Sequence, residues 1–339
     1  MSAPLALTMG EPAGIGGEIT LKSWLSRAEG VGPFFAIDNP ARLEALAGAI
    51  GLPVPLVEIS NPGDAAAQFE KALPVLPVEL AAETIPGKLD KTNASSVIES
   101  ITRAVQLTQS GEASAVVTNP IHKSTLYAAG FAHPGHTEFL AELAGTNHQS
   151  VMMLACEELR VVPVTIHTSL AEAARSLTGD RIIRCARVTA EALVRDFGVT
   201  KPRLAFAGLN PHAGEDGGIG REEIDIIRPA LEILRAEGIN AIGPLSADTL
   251  FHAAARKTYD AAICMYHDQA LIPIKTINFE GSVNTTLGLP FVRTSPDHGT
   301  ALDISGHGVA SETSLIAALR LAADMAAKRA VSDAGIAEG

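Results

Sequence analysis

The stretch YDAAICMYHDQALIPIK, Tyr259 to Lys275, decides how the chain is read. Its first eight residues form the short apolar run of a strand buried on both faces. The run stops on His267 and Asp268, residue types that hold metals or carry charge, and Lys275 follows eight residues after the histidine. A core strand that delivers such a pair to its end belongs to a sheet whose strand ends face a ligand.

Similar runs recur. LALTM (5–9), ASAVVTN (113–119), LRVVPVTI (159–166) and RLAFAGLN (203–210) alternate with helical patterns such as GEITLKSWLSRA (17–28) and SSVIESITRAVQLTQ (95–109). That alternation predicts an α/β protein with a mostly parallel sheet flanked by helices. Ser169 with Glu172 makes a capping box for the helix that follows, and Ser246 is placed to cap ADTLFHAAARK. Pro229 inside REEIDIIRPALEILRAEG predicts two short helices, with the proline opening the second. ETSLIAALRLAADMAAKRA predicts a last helix packed back on the body.

With 339 residues, 47% hydrophobic and 19% charged, the chain has material for about two domains and a sizeable core. A net charge of -12 and only 4% aromatics disfavour nucleic-acid and anionic-membrane partners. Three scattered cysteines, Cys156, Cys185 and Cys264, suit a reducing compartment. The N-terminal stretch has no basic region ahead of its short apolar run, and no apolar run reaches 18 residues. A cytoplasmic protein is expected.

Three of the ten histidines occupy equivalent places. His167, His212 and His267 each follow a strand-like run. At one sheet edge they can converge as three imidazoles on a divalent metal; singly, a strand-end histidine is more often a loop residue bonded to backbone than a ligand. The glycine-rich segments are less specific. MGEPAGIGGE (9–18) is a strand, turn and helix start without the GxGxxG spacing, and HAGEDGGIGREE (212–223) reads alone as a flexible loop. RTSPDHGTALDISGHG (293–308) reads either as a turn-rich surface loop or as a loop for a cofactor or phosphate.

Taken in order, GEPAGIGGE, TNPIHKSTLYAAGFAHPGHTEFLA, VTIHTSL, GLNPHAGEDGGIGREEID, MYHDQALIPIK and NTTLGLPFVRTSPDHGTALDISGHG resemble the 4-hydroxythreonine-4-phosphate dehydrogenase family, over nearly the whole chain. That family lies in the isocitrate/isopropylmalate dehydrogenase-like superfamily. The resemblance implies a homodimer of subunits with two α/β/α domains and an active-site cleft between domains at the dimer interface. The division expected is 1–125 with 275–339 as the cofactor-side domain, and 126–274 as the domain for metal, substrate and dimerisation. The family's metal-binding positions fall on His167, His212 and His267, and its substrate-binding positions on His136, Thr137, Lys275, Asn284 and Arg293. The loop carrying Asp297, His298, Gly299, Thr300 and Asp303 resembles the superfamily's nucleotide-binding loop, so NAD or NADP is implied, with one divalent ion (Zn, Co or Mg) per site.

The implied reaction oxidises 4-phosphohydroxy-L-threonine at C3. Loss of CO2 then gives 3-amino-2-oxopropyl phosphate, a step towards pyridoxal 5'-phosphate. Asp248 and Asp268 are the candidates for the base. A sister group with nearly the same residues acts on 4-phospho-D-threonate or 4-phospho-D-erythronate. From the residues alone, a metal-dependent hydrolase and a non-catalytic binder of a phosphorylated metabolite are the other classes.

Overall fold

The computed structural model describes residues 3–133, 136–145 and 150–337. Among them are twelve strands: β1 (Leu5–Thr8), β2 (Phe34–Asp38), β3 (Leu56–Glu58), β4 (Leu73–Pro77), β5 (Val116–Val117), β6 (Val151–Ala155), β7 (Arg160–Pro163), β8 (Arg203–Ala207), β9 (Asn240–Leu245), β10 (Ala261–Cys264), β11 (Val283–Leu287) and β12 (Arg293–Pro296). The chain divides into two compact units, 1–148 with 289–327, and 149–288 with 328–339.

In the first unit the strand order is β3-β4-β2-β1-β5-β12, parallel throughout. Strands β1 and β2 are buried along their whole length, as strands covered on both faces must be. The helix Ala94–Gln109 lays Val97, Ile101, Ala104 and Val105 on the core beside Phe35 and Ile37. Each large apolar side chain so buried contributes about 1.5–3 kcal/mol. The same helix buries Ser100, which accepts from the Met9 amide at 2.9 Å and donates to the Ile37 carbonyl at 2.7 Å. Two strand ends are thereby tied to one hydroxyl. Phe139, Leu140 and Ala141 of the helix His136–Leu143 join this core.

The second unit orders its strands β11-β6-β7-β10-β8-β9. Here β11·β6 and β6·β7 are antiparallel, whereas β7·β10, β10·β8 and β8·β9 are parallel. Its core gathers Leu154, Val161, Ala205, Ala262, Cys264 and Ile274. The mostly parallel α/β class expected from the alternation is therefore what the chain forms.

Local signals fared unequally. Ser169 caps the helix Leu170–Ser176 through the Glu172 amide, and Pro229 lies in the first turn of the helix Arg228–Ala236. Ser246 precedes only one helical turn, Ala247–Leu250, and makes no cap bond. Its hydroxyl is drawn instead to Oδ1 of Asp248 at 2.5 Å. The last helix, Thr313–Ala337, buries Leu315, Ala318, Leu319, Ala322 and Met325. Among the described residues no helix is long and apolar enough to cross a membrane.

Candidate active site

Strands β7, β10 and β8 are adjacent and parallel, and their register aligns Val162, Ile263 and Phe206 in one row. From that row His167 lies five residues on, His267 four and His212 six. All three therefore emerge at the C-terminal edge of neighbouring strands, where open α/β sheets bind ligands. The rings of His167 and His267 are 5.7 Å apart between centroids. Both line a cavity of about 420 Å3 with Thr168, Tyr266 and Asp268.

His267 opens the helix His267–Ile277 and donates from Nδ1 to Oδ1 of Asp268 at 2.7 Å. That bond fixes the ring and leaves Nε2 for a ligand, the usual arrangement of a metal-binding imidazole. His212 is held differently. It begins a turn in which His212, Ala213, Glu215 and Asp216 all have φ between 44° and 52°. Side-chain-bearing residues enter the left-handed region at a cost, so the surroundings must hold them there.

They do so through Asn210, whose amide donates to Oε1 of buried Glu223 at 2.7 Å and whose Nδ2 reaches Oε2 at 2.9 Å. Gly220 is required beside it, because a Cβ there would come within 2.3 Å of the Asn210 Nδ2. The segment read as a flexible loop is thus a built turn. Among the described residues no group of three or more His, Cys, Asp or Glu side chains is drawn together closely enough to hold a metal ion. The donor chemistry of the three imidazoles suits a divalent cation.

The first unit carries a different kind of site. Arg293, at the start of β12, is 4% exposed and donates to the Thr118 hydroxyl at 2.6 Å. Burial brings its pKa down to about 10, with Asp297 acting the other way. His136 begins its helix with Nε2 buried and no hydrogen-bond partner among the described residues. Burial first, then the positive charges of Arg293 and Lys123, hold its imidazole well below the usual histidine range. A buried imidazole nitrogen under the positive field of Arg293 and Lys123 is suited to a negatively charged partner. Thr137 follows on the same helix; its side chain lies outside the described residues.

Of the other expected positions, Lys275 and Asn284 lie in the second unit. Lys275 sits in the last turn of the helix that His267 opens, with Nζ 5.0 Å from the Phe279 ring centroid. Asn284 faces Leu154 across the β11·β6 ladder. Asp248 is exposed, and its carboxyl is held below the usual range by the Ser246 hydroxyl foremost, with a smaller contribution from the charge of His212.

The loop after β12 packs against the turn after β1. The Thr300 carbonyl accepts from the Ile15 amide at 3.0 Å, and a Cβ on Gly14 would meet that same oxygen at 2.9 Å. Farther along, Glu18 accepts from the Gly308 and Ala310 amides, while the Lys22 ammonium donates to both carbonyls. In this loop His298 buries an Nε2 with no partner among the described residues, and Gly299 and Asp303 are exposed.

Sequence reading missed the residues that shape these edges. Gln269, 8% exposed, accepts from the Met265 amide and donates to the Gly208 carbonyl, both at 2.7 Å, tying the ends of β10 and β8. Glu223, Thr118 and the Glu18–Lys22 pair act likewise. Only the spacing of Glu18 and Lys22, four apart on a helix, was a usable signal.

Comparison with known proteins shows the family. Residues 32–322 match the model of the family described as pyridoxal phosphate biosynthetic protein PdxA. The 4-hydroxythreonine-4-phosphate dehydrogenase of Methylorubrum extorquens (strain PA1) is 56% identical over 326 residues, covering 94% of this chain and 93% of that protein. Its counterpart of the same name from Bradyrhizobium diazoefficiens is 54% identical over 338 residues, covering 96% and 98%. The crystal structure of 4-hydroxythreonine-4-phosphate dehydrogenase from Klebsiella pneumoniae superimposes with a TM-score of 0.87 at 38% identity, covering 96% of this chain and all of that one. The chain belongs to the pyridoxal phosphate biosynthetic protein PdxA family, and its relatives are named as dehydrogenases.

Proposed function

We propose that the chain is a metal-dependent, NAD(P)-linked dehydrogenase that oxidises 4-phosphohydroxy-L-threonine at C3 and releases CO2, giving 3-amino-2-oxopropyl phosphate for pyridoxal 5'-phosphate synthesis. The observation that carries this reading is His136. Its buried Nε2, without a hydrogen-bond partner among the described residues and under the charges of Arg293 and Lys123, suits an anion. The names of the relatives supply which anion.

Arg293, already oriented by Thr118, grips a phosphate or carboxylate with its planar fork, and Lys275 adds a point charge. His136 and Thr137 complete the anion's hydrogen bonds, and Asn284 adds a neutral one. His167, His212 and His267 hold the divalent ion (Zn, Co or Mg), with the third imidazole supplied across a homodimer. When bound, the ion would supply Lewis acidity and the nicotinamide would supply the hydride acceptor for oxidation at C3.

Between the candidate bases the geometry favours Asp248. Asp268 is occupied in orienting His267, whereas Asp248 is exposed and held in its ionised form. An ionised carboxylate is the form that takes a hydroxyl proton. The β-keto acid so produced loses CO2 readily. Arg293, with His136 and Thr137, would hold its phosphate as the carboxylate departs.

The test is stoichiometry. With a divalent cation, NAD+ and the phosphohydroxy acid, NADH and CO2 should appear in equal amounts. Product release without nicotinamide reduction would replace this reading with a hydrolase.

A further inference from the structure

Glu11 lies in the segment GEPAGIGGE, three residues beyond the end of β1, and takes no part in holding the proposed anion or metal. It is 3% exposed. Its Oε1 accepts from the Ala13 amide at 3.1 Å and its carbonyl from the Gly14 amide at 3.0 Å, which fixes the carboxylate within the turn. Among the described residues it forms no ion pair. Arg42 and His122 are near enough for their charges to act on it, yet both are engaged elsewhere. Arg42 donates through Nε and Nη2 to the two carboxylate oxygens of Asp38, at 3.1 and 2.5 Å. His122 turns Nδ1 to the hydroxyls of Thr125 and Ser124, at 2.9 and 3.1 Å. Burial, foremost, raises the Glu11 pKa, and the charge of Asp90 adds to it; the Ala13 amide, His122 and Arg42 act the other way. A carboxylate shut from water with one hydrogen bond and no cation is costly, and a bound cation relieves that cost.

Glu11 stands beside the anion site of its own unit. Strand β5 runs between β1 and β12, parallel to both, so the three strand ends share one edge. The segment 118–120 that leaves β5 serves both neighbours. The Thr118 hydroxyl accepts from Arg293 at 2.6 Å, and the Pro120 carbonyl accepts from the Glu11 amide at 2.8 Å. Two residues of extended chain span about 7 Å, which sets the two anchor points within the length of one small phosphorylated metabolite. Asn119, between them, is wedged under the turn. Its Nδ2 donates to the Thr8 carbonyl at 3.0 Å, and a Cβ on Gly10, whose φ is 70°, would come within 2.7 Å of the Asn119 Cβ. Packing therefore fixes the spacing of the buried acid and the buried arginine.

We propose that Glu11 binds the ammonium group of the substrate and makes the enzyme select a phosphorylated amino acid over an analogue with hydrogen or hydroxyl at C2. The inference rests on the dehydrogenase reading above and deepens it. Of the groups on 4-phosphohydroxy-L-threonine, the phosphate and the reacting hydroxyl have partners in that reading, and the ammonium has none. An ammonium has three donors and pairs with a carboxylate by charge-assisted hydrogen bonds. Hydrogen or hydroxyl at C2 leaves Glu11 buried without a counter-charge, so the site rejects such an analogue through the acid it cannot neutralise. Glu11 is thus a specificity-determining residue.

Calorimetric binding to the full chain with a divalent cation and no NAD+ tests this apart from turnover. The ligands are 4-phosphohydroxy-L-threonine, its analogue lacking the amino group, and inorganic phosphate. The wild type should bind the amino compound at least about tenfold more tightly than the analogue, the effect of one charge-assisted hydrogen bond. Glu11→Gln keeps an acceptor for the Ala13 amide and removes the charge. It should weaken the amino compound about 10- to 100-fold and leave the analogue and phosphate within about threefold of wild type. Glu11→Asp, which keeps the charge, should recover part of the loss. Unaltered binding of the amino compound by Glu11→Gln, or equal losses for all three ligands, would overturn the assignment. Should that change unfold the chain, the wild type still decides: equal affinity for the amino compound and the analogue would overturn the ammonium site. If the preference is present but neither compound reduces NAD+, the ammonium site stands and the dehydrogenase reading fails.

Discussion

Nδ1 of His267 stands 2.7 Å from Oδ1 of Asp268, its neighbour in sequence, at the opening of a helix. The contact makes Asp268 a holder of the imidazole rather than a free base. Asp268→Asn should keep the fold and weaken metal binding about 10- to 100-fold, the usual effect of losing such a support. His267→Ala should abolish metal binding. Metal titrations of the two variants check this; equal affinity of Asp268→Asn and wild type would remove the orienting role.

Arg293 is the buried cation of the proposed anion site, and Lys123 lies exposed. Losing a charge-assisted bond in a closed site costs about 2–4 kcal/mol, on the order of 30- to 1,000-fold in kcat/KM. Arg293→Ala should fall in that range and Lys123→Ala well short of it. A loss below about threefold for Arg293→Ala would refute the assignment.

His136 gives a pH signature. Its folded-state pKa is depressed below the ordinary 6.5, by burial first and then by Arg293 and Lys123. As pH falls through the ordinary value the unfolded chain takes up a proton that the folded chain refuses. Stability is therefore lost on acidification below that point. His136→Gln should flatten this part of the curve of urea midpoint against pH. An anion bound beside the ring favours its charged form, so phosphate binding near pH 6 should draw in protons, measurable as a buffer-dependent heat. Parallel stability curves and a buffer-independent heat would leave His136 no such role.

How much of this was legible beforehand depends on whether a feature is local. The three strand-end histidines were readable because each follows an apolar run, and a run with its terminal residue is a local pattern. The spatial order β7-β10-β8 was not, since parallel neighbours carry no mark of adjacency in sequence. β4 was hidden by its own composition: Pro74 and Pro77 argue against an interior strand, yet it pairs with both β2 and β3. Gln269 reaches 61 residues back to Gly208, and Glu18 reaches 290 residues forward to Gly308; no window contains either pair. The left-handed turn at His212 was misread because Gly and Asp promise flexibility, whereas the side chain of Glu223 supplies the order.

The proposed sharing of the three histidines across a homodimer predicts subunit complementation. His167→Ala, His212→Ala and His267→Ala, each inactive alone, are mixed in pairs under conditions that exchange subunits. If two ligands come from different chains, a heterodimer has one site with both lesions and one with neither. Random exchange makes about half the dimers mixed, so about a quarter of wild-type sites return. At least one pairing should recover activity. If exchange is demonstrated and all three mixtures stay inactive, each subunit holds its metal alone.

The central claim is oxidation of a phosphorylated amino hydroxy acid, and one comparison of substrates tests it. The purified chain, supplied with a divalent cation and NAD+, is given 4-phosphohydroxy-L-threonine or 4-phospho-D-threonate, and NADH formation is followed for each. NADH should form with a clearly higher kcat/KM on the amino substrate, and Arg293→Ala should depress it. NADH formation from 4-phospho-D-threonate with none from the amino acid would contradict the account and place the chain's activity with the sister group.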